Sequence, residues 1–103
     1  MSDKNIVYVD EDLEELVPDF LQNRRDDVST IRELLRSGDL KEVQRIGHSM
    51  KGSGGGYGFD EITVIGSKIE EAAKVGDVTV IKEASDHLES YLASVHVVYQ
   101  ELD

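Results

Sequence analysis

Apolar side chains recur every three or four residues over most of this chain. From Asp10 onward, Leu13, Leu16, Val17, Phe20 and Leu21 form one such series, and Val28, Ile31, Leu34 and Leu35 continue it. Pro18 has no N–H and interrupts the ladder. The spacing therefore predicts a short helix that ends before it and a long helix that begins at it. Gly38 is the expected stop. Asp39 with Glu42 forms a capping-box pattern that opens the next helix, whose apolar residues are Leu40, Val43, Ile46 and Met50. Asp60 is the expected N-cap of a third segment, with Ile62, Ile65, Ile69 and Ala72 on one face. Gly76 closes that segment and Asp77 opens the last. Its wide stripe comprises Val80, Ile81, Ala84, Leu88, Tyr91, Leu92, Val95, Val98 and Leu102.

The stretch Ile6–Val9 (IVYV) has strand-like composition, but no partner strand is evident after it. A lone strand is not stable, so it is expected as an extended lead-in or as the first turn of a helix. The four amphipathic segments are joined by very short turns, which force antiparallel neighbours. The expected fold is all-α: an antiparallel up-down four-helix bundle with a short extra N-terminal helix, forming one domain over residues 1–103. The β-branched runs ITVI and VTVI argue against helices, yet the helical period continues through both.

A chain of 103 residues can bury one modest core. The formal net charge of −11 gives solubility and repels nucleic acid and anionic membranes unless a basic patch is focused somewhere. There is no cysteine, which excludes disulfides and thiolate metal sites. The opening MSDKNIVYVD has no long apolar run, so neither a signal peptide nor a membrane span is expected there, and the expected location is cytoplasmic.

The second helix carries the candidate chemistry. On a helical wheel, Ile46, Met50 and Tyr57 fall opposite His48, with Val43 nearby, so His48 points to water if the helix runs on past Met50. Its wheel neighbours are Lys41, Gln44, Arg45, Lys51, Gly52 and Gly55, and Glu42 is the sole acid between Leu40 and Phe59. A cationic patch around an exposed imidazole suits a bound phosphate. Glycine costs about 1 kcal/mol relative to alanine in a helix interior, so Gly47, Gly52, Gly54, Gly55, Gly56 and Gly58 need a reason. Gly52 and Gly55 would clear room around His48, whereas Gly47, Gly54 and Gly58 lie nearer the buried side and would let other helices approach. A flexible loop starting near Gly52 is the plain alternative. A nucleotide-binding loop is disfavoured, because Lys51 precedes the glycines instead of following them.

The stretch HSMKGSGGGYGF resembles the signature of histidine phosphotransfer (HPt) domains: a histidine, a Lys-Gly pair after two intervening residues, a run of small residues, and a glycine ten positions after the histidine. His48, Lys51, Gly52 and Gly58 match it. The resemblance extends over nearly the whole chain, since the family is a four-helix bundle of similar length with an extra N-terminal helix. It implies that the helix continues through the glycines and that His48 is the phosphorylated residue, with Nε2 attacking phosphorus in line. Lys51 would neutralise phosphoryl oxygens and Gly52 would leave space for the partner's active site. Ser53 to Gly56 would permit close helix packing. Lys41, Gln44, Arg45, Gly55 and Phe59 are the expected partner-docking residues. The implied partners are response-regulator receiver domains, which would supply an aspartate and Mg²⁺, and a hybrid sensor histidine kinase. No metal, cofactor, nucleic acid or membrane is expected for this chain itself, and a monomer is expected because the His48 face must stay free. The domain would be a phosphocarrier and not an enzyme, since nothing in the chain resembles an ATP-binding kinase module.

The remaining candidates have plainer readings. His87 and His96, both placed on the last helix, are nine residues apart and lack the spacing of a helical metal pair, so surface or boundary positions are expected. DEDLEE lacks the ligand order of a calcium loop. Asp26 and Asp27 are expected on a solvated face, and Tyr57, Phe59, Tyr91 and Tyr99 in the core or at its rim. Two other functions stay open at this stage: a helical interaction module using the same face without phosphate chemistry, and a binder of small phosphates or nucleotides.

Overall fold

The computed structural model describes residues 5–101. Four helices dominate it: α1 Val17–Ser37, α2 Leu40–Gly54, α3 Asp60–Val75 and α4 Val78–Ser94. Each packs on its neighbour in the chain, and α4 closes the ring against α1. The expected punctuation is largely present. Asp39 accepts from the Glu42 N–H and Asp77 from the Val80 N–H, each satisfying a donor that the first helical turn leaves free. α1 and α3 end at Gly38 and Gly76, both left-handed. Pro18 sits in the first turn of α1, where its missing N–H costs nothing. The residue before α3 is Phe59 and not Asp60; Asp60 is the first helical residue and makes no side-chain cap.

The two ends of the chain depart from the all-α expectation. Asn5–Asp10 is a strand, β1, and Val95–Gln100 is a second strand, β2, paired with it in parallel. Among the described residues no extra N-terminal α-helix forms; a 3-10 turn at Glu11–Leu13 stands in its place. The partner that IVYV lacked in sequence lies beyond the whole bundle, with Asn5 opposite Val95. The run VHVVYQ satisfies both a helical stripe and a strand. Its β-branched and aromatic residues fit the pleated surface that β1 supplies, and tertiary pairing decides. The final helix therefore stops at Ser94, Val95 and Val98 belong to β2, and Leu102 lies outside the described residues.

The core holds the apolar stripes: Val28, Ile31, Val43, Met50, Ile62, Ile65, Ile69, Ile81 and Leu88 are all buried. An aromatic column closes one end. The Phe20 ring stacks on Tyr57 at 4.3 Å and on Phe59 at 5.5 Å between centroids. Arg24 lies over Phe20 at 5.0 Å and donates to Ser53 Oγ at 3.1 Å. α1 thereby grips the far end of α2.

α2 and α3 approach until their backbones touch. A Cβ on Gly47 would stand 2.7 Å from the Glu70 amide nitrogen and 2.9 Å from the Gly66 carbonyl oxygen. A Cβ on Gly66 would stand 2.6 Å from the Lys51 nitrogen, and one on Gly54 would stand 2.8 Å from the Thr63 nitrogen. These distances are shorter than any side chain tolerates, so the crossing exists only because three positions lack a side chain. Gly52 is different, with nothing within 4 Å of its Cβ position.

The glycines separate into two classes that unfolding measurements distinguish. Gly66→Ala forces backbone against backbone and is expected to destabilise the fold by about 1–3 kcal/mol in denaturant titration. Gly52→Ala meets open space inside a helix and is expected to stabilise by about 0.5–1 kcal/mol. Equal effects at the two sites would contradict the crossing. A second expectation concerns alkaline pH. Burial, reinforced by Glu61 and Asp60, pushes the Tyr91 phenol up to about 12. Between the ordinary value of 10 and about 12 the folded chain holds a proton that the unfolded chain has released. Stability from this group is complete below pH 10 and falls as pH rises through that window. Absorbance titration of tyrosinate should show a late step near 12 that Tyr91→Phe removes.

Candidate functional site

His48 stands on the outer face of α2, its side chain 73% exposed, while Val43, Ile46 and Met50 on the opposite side are buried. The helix continues to Gly54 and then tightens into a 3-10 turn at Gly55–Tyr57, which ends at Gly58. Gly58 has φ +87, a conformation that only glycine adopts without strain. The helix therefore runs on past Met50, as the outward orientation of His48 requires.

The glycine crossing delivers one group that the sequence reading missed. Glu70 on α3 is only 7% exposed, and its Oε2 lies 2.9 Å from His48 Nδ1. Its amide nitrogen is the atom packed against Gly47, the residue before His48. The close approach of the backbones is thus what lets a short carboxylate side chain reach the ring. The hydrogen bond from His48 holds the Glu70 carboxyl below the usual carboxylate range, against the burial that would raise it; Lys51 and Lys74 add to the lowering. A charged carboxylate accepts only, so Nδ1 carries the proton that it donates. Nε2 is then left with its lone pair, on the exposed edge of the ring.

Lys51 completes the local arrangement. Its Nζ lies 3.8 Å from Glu70 Oε1, which is buried and has no hydrogen-bond partner. The lysine is held near the ring by charge but not locked to it, and remains half exposed. The Lys51 carbonyl accepts from the Thr63 hydroxyl at 3.3 Å, tying the last turn of α2 to α3. Lys41, Gln44 and Arg45 join His48 and Glu70 around an open hollow of about 390 Å³.

Several expectations are corrected here. Phe59 is fully buried and stacked on Phe20, so its side chain cannot serve a docking face. Gly55 needs no correction: it is exposed, and its Cβ position meets only Thr63 Oγ1, at 3.7 Å. The charge around His48 is more balanced than three cations against Glu42, because α3 adds Glu70 and Arg45 is itself paired with Glu42. Asp27 is not on a solvated face: it is paired with Arg24 at 2.8 Å, and burial raises its carboxyl above the ordinary value. Asp26, in contrast, is exposed as expected and accepts from Gln22 at 3.1 Å. His96 lies on β2 instead of the last helix, and His87 contacts Glu61 at 3.1 Å; neither joins the hollow beside His48. Among the described residues no cluster of three potential ligands could hold a metal ion. No helix there is long and apolar enough to cross a membrane.

The family model of the Hpt domain matches residues 15–97. No curated protein and no solved structure matches the chain. The matched span holds all four helices and the His48 face, and excludes β1. With the motif, the helical bundle and the family model in agreement over most of its length, the chain belongs to the Hpt domain family, whose members carry phosphoryl groups on histidine between the receiver and kinase domains of two-component phosphorelays.

Proposed function

We propose that His48 is the phosphoryl acceptor, and that the chain takes the group from the aspartate of one receiver domain and passes it to the aspartate of another. The observation that carries this reading is an exposed imidazole whose Nδ1 is bonded to a buried carboxylate, which leaves Nε2 as the free nitrogen. Nε2 attacks phosphorus, the bond between phosphorus and the aspartyl oxygen breaks, and the carboxylate is released. The ring keeps its Nδ1 proton throughout and so becomes a cation, held against the negative Glu70. Onward transfer reverses the step: the Nε2–P bond breaks and the ring leaves as neutral imidazole. No proton has to enter or leave the site in either direction.

The other residues serve charge and access. Lys51 is near enough to turn toward phosphoryl oxygens without a change of helix, and positioning and charge neutralisation dominate this chemistry. Lys41, Gln44 and Arg45 offer a polar, cationic rim to a receiver with an acidic pocket. Gly52 and Gly55 keep the surface beside the ring low, so a second active site can close over it. In this reading Mg²⁺ belongs to the receiver, and the chain itself neither hydrolyses nor phosphorylates.

Incubation with a phosphorylated receiver domain should move label to wild-type protein and leave His48→Gln blank. Label on His48→Gln at the wild-type level would overturn the assignment. Glu70→Gln keeps an acceptor for Nδ1–H but loses the charge, and should slow transfer about tenfold or more, as loss of a group that tunes a histidine does. Gly52→Ala should slow transfer although the fold becomes more stable, a combination that a purely structural glycine would not produce.

A further inference from the structure

The parallel pair β1–β2 takes no part in the His48 site. Parallel sheets ordinarily have both faces covered. One face here is: Val9 is buried, and Val7, Val97 and Tyr99 pack against the core. The other face is open, with Ile6 54% and Tyr8 55% exposed. Free strand edges are usually guarded by lysine, proline or a bulge. From Asn5 to Val9 there is no charged residue and no proline, in a chain where 32% of residues are charged. Among the described residues, no backbone hydrogen bond reaches β1 from a third element.

A groove of about 550 Å³ runs beside β1. Ile6 and Tyr8 form its exposed apolar side, with the Asn5 amide at one end, and Asp60 and Glu61 at the start of α3 form an acidic wall. Tyr91, at its base, feels both carboxylates: each raises its phenol, in addition to burial. Glu61 is also 3.1 Å from His87 Nε2. A second copy of this chain fits the groove poorly. Its own strands carry no lysine or arginine over residues 5–10 and 95–100, and two molecules of charge −11 repel.

We propose that this groove is a second docking surface, and that its occupant is an extended partner segment alternating apolar side chains with lysine or arginine. The apolar side chains cover Ile6 and Tyr8; the cations meet Asp60 and Glu61. The partner lies along β1, as extended peptides do along open sheet edges. β1 is outside the span that matches the family model, whereas Gly58, Asp60, Glu61 and Tyr91 are inside it. Gly58, which lines the groove, lies ten residues past His48 and beyond the end of α2 at Gly54, and His48 is not among the lining residues, so an occupied groove leaves His48 open. It would serve to tether a partner while the imidazole is used. The proposal does not depend on the phosphoryl chemistry of His48.

The test is a titration of the isotope-labelled full chain with a short synthetic peptide alternating isoleucine with lysine, followed by amide shifts. Saturable shifts confined to residues 5–10 and 58–61, weakened by salt, support the proposal. The isoleucine–glutamate counterpart should give none. The pair Asp60→Asn and Glu61→Gln should weaken binding about tenfold. Ile6→Ser, at an exposed position, should weaken it without moving the unfolding midpoint, which guards against misfolding of the acidic variant. No saturable shift, equal binding of the glutamate peptide, or shifts at the same residues on concentrating the protein alone with a dimer in sedimentation would each overturn it.

Discussion

The structure depends on the contact between the backbones of α2 and α3 at Gly47, Gly66 and Gly54. Two helices with ordinary side chains stand 8–10 Å apart, roughly the length of the side chains between them. Removing those side chains at three positions brings the Glu70 amide against Gly47 and the Lys51 amide against Gly66. The consequence is chemical. A glutamate that would otherwise end in solvent is folded into the crossing, 7% exposed, and meets His48 Nδ1 at 2.9 Å. The helical penalty of these glycines is offset by the α2–α3 interface and by the geometry that it imposes on the imidazole.

A buried carboxylate beside an exposed ring resolves an apparent conflict in the chain's electrostatics. A protein of charge −11 is a poor host for a phosphoryl group. Lys41, Arg45 and Lys51 offset this locally, but Arg45 is engaged by Glu42 and Lys51 is drawn to Glu70. Arg45 and Lys51 are thus held in place before any ligand arrives, through contacts that solvent and phosphate can compete with. Glu70 acts on the far side of the ring from Nε2, where its charge supports an imidazolium instead of repelling an incoming phosphoryl group.

Much of this was legible in the sequence. Asp39, Asp77, Gly38 and Gly76 mark helix ends by local chemistry, and the three- and four-residue spacing of Val43, Ile46 and Met50 turns His48 outward. What was not legible is long-range. Glu70 follows Ile69 directly and sits at the margin of an apolar stripe, where a glutamate reads as a boundary residue. Its partner is on another helix, and only the glycines at 47 and 66 hint that the two helices meet closely. β2 was hidden by ambiguity: Tyr91, Val95 and Val98 continue a helical stripe as well as they fill a strand, and the pairing that decides it joins Asn5 to Val95. Phe59 carried two expectations, core or rim and docking face, and the turn at Gly58 sends it into the core.

The account rests on which ring nitrogen of His48 carries the proton. Long-range ¹H–¹⁵N correlation spectra of the neutral imidazole report this directly. The Glu70 contact predicts that His48 is held as the Nδ1–H tautomer with an unprotonated Nε2, and that Glu70→Ala loosens this preference. An Nε2–H tautomer in the wild-type protein, unchanged by Glu70→Ala, would contradict the account.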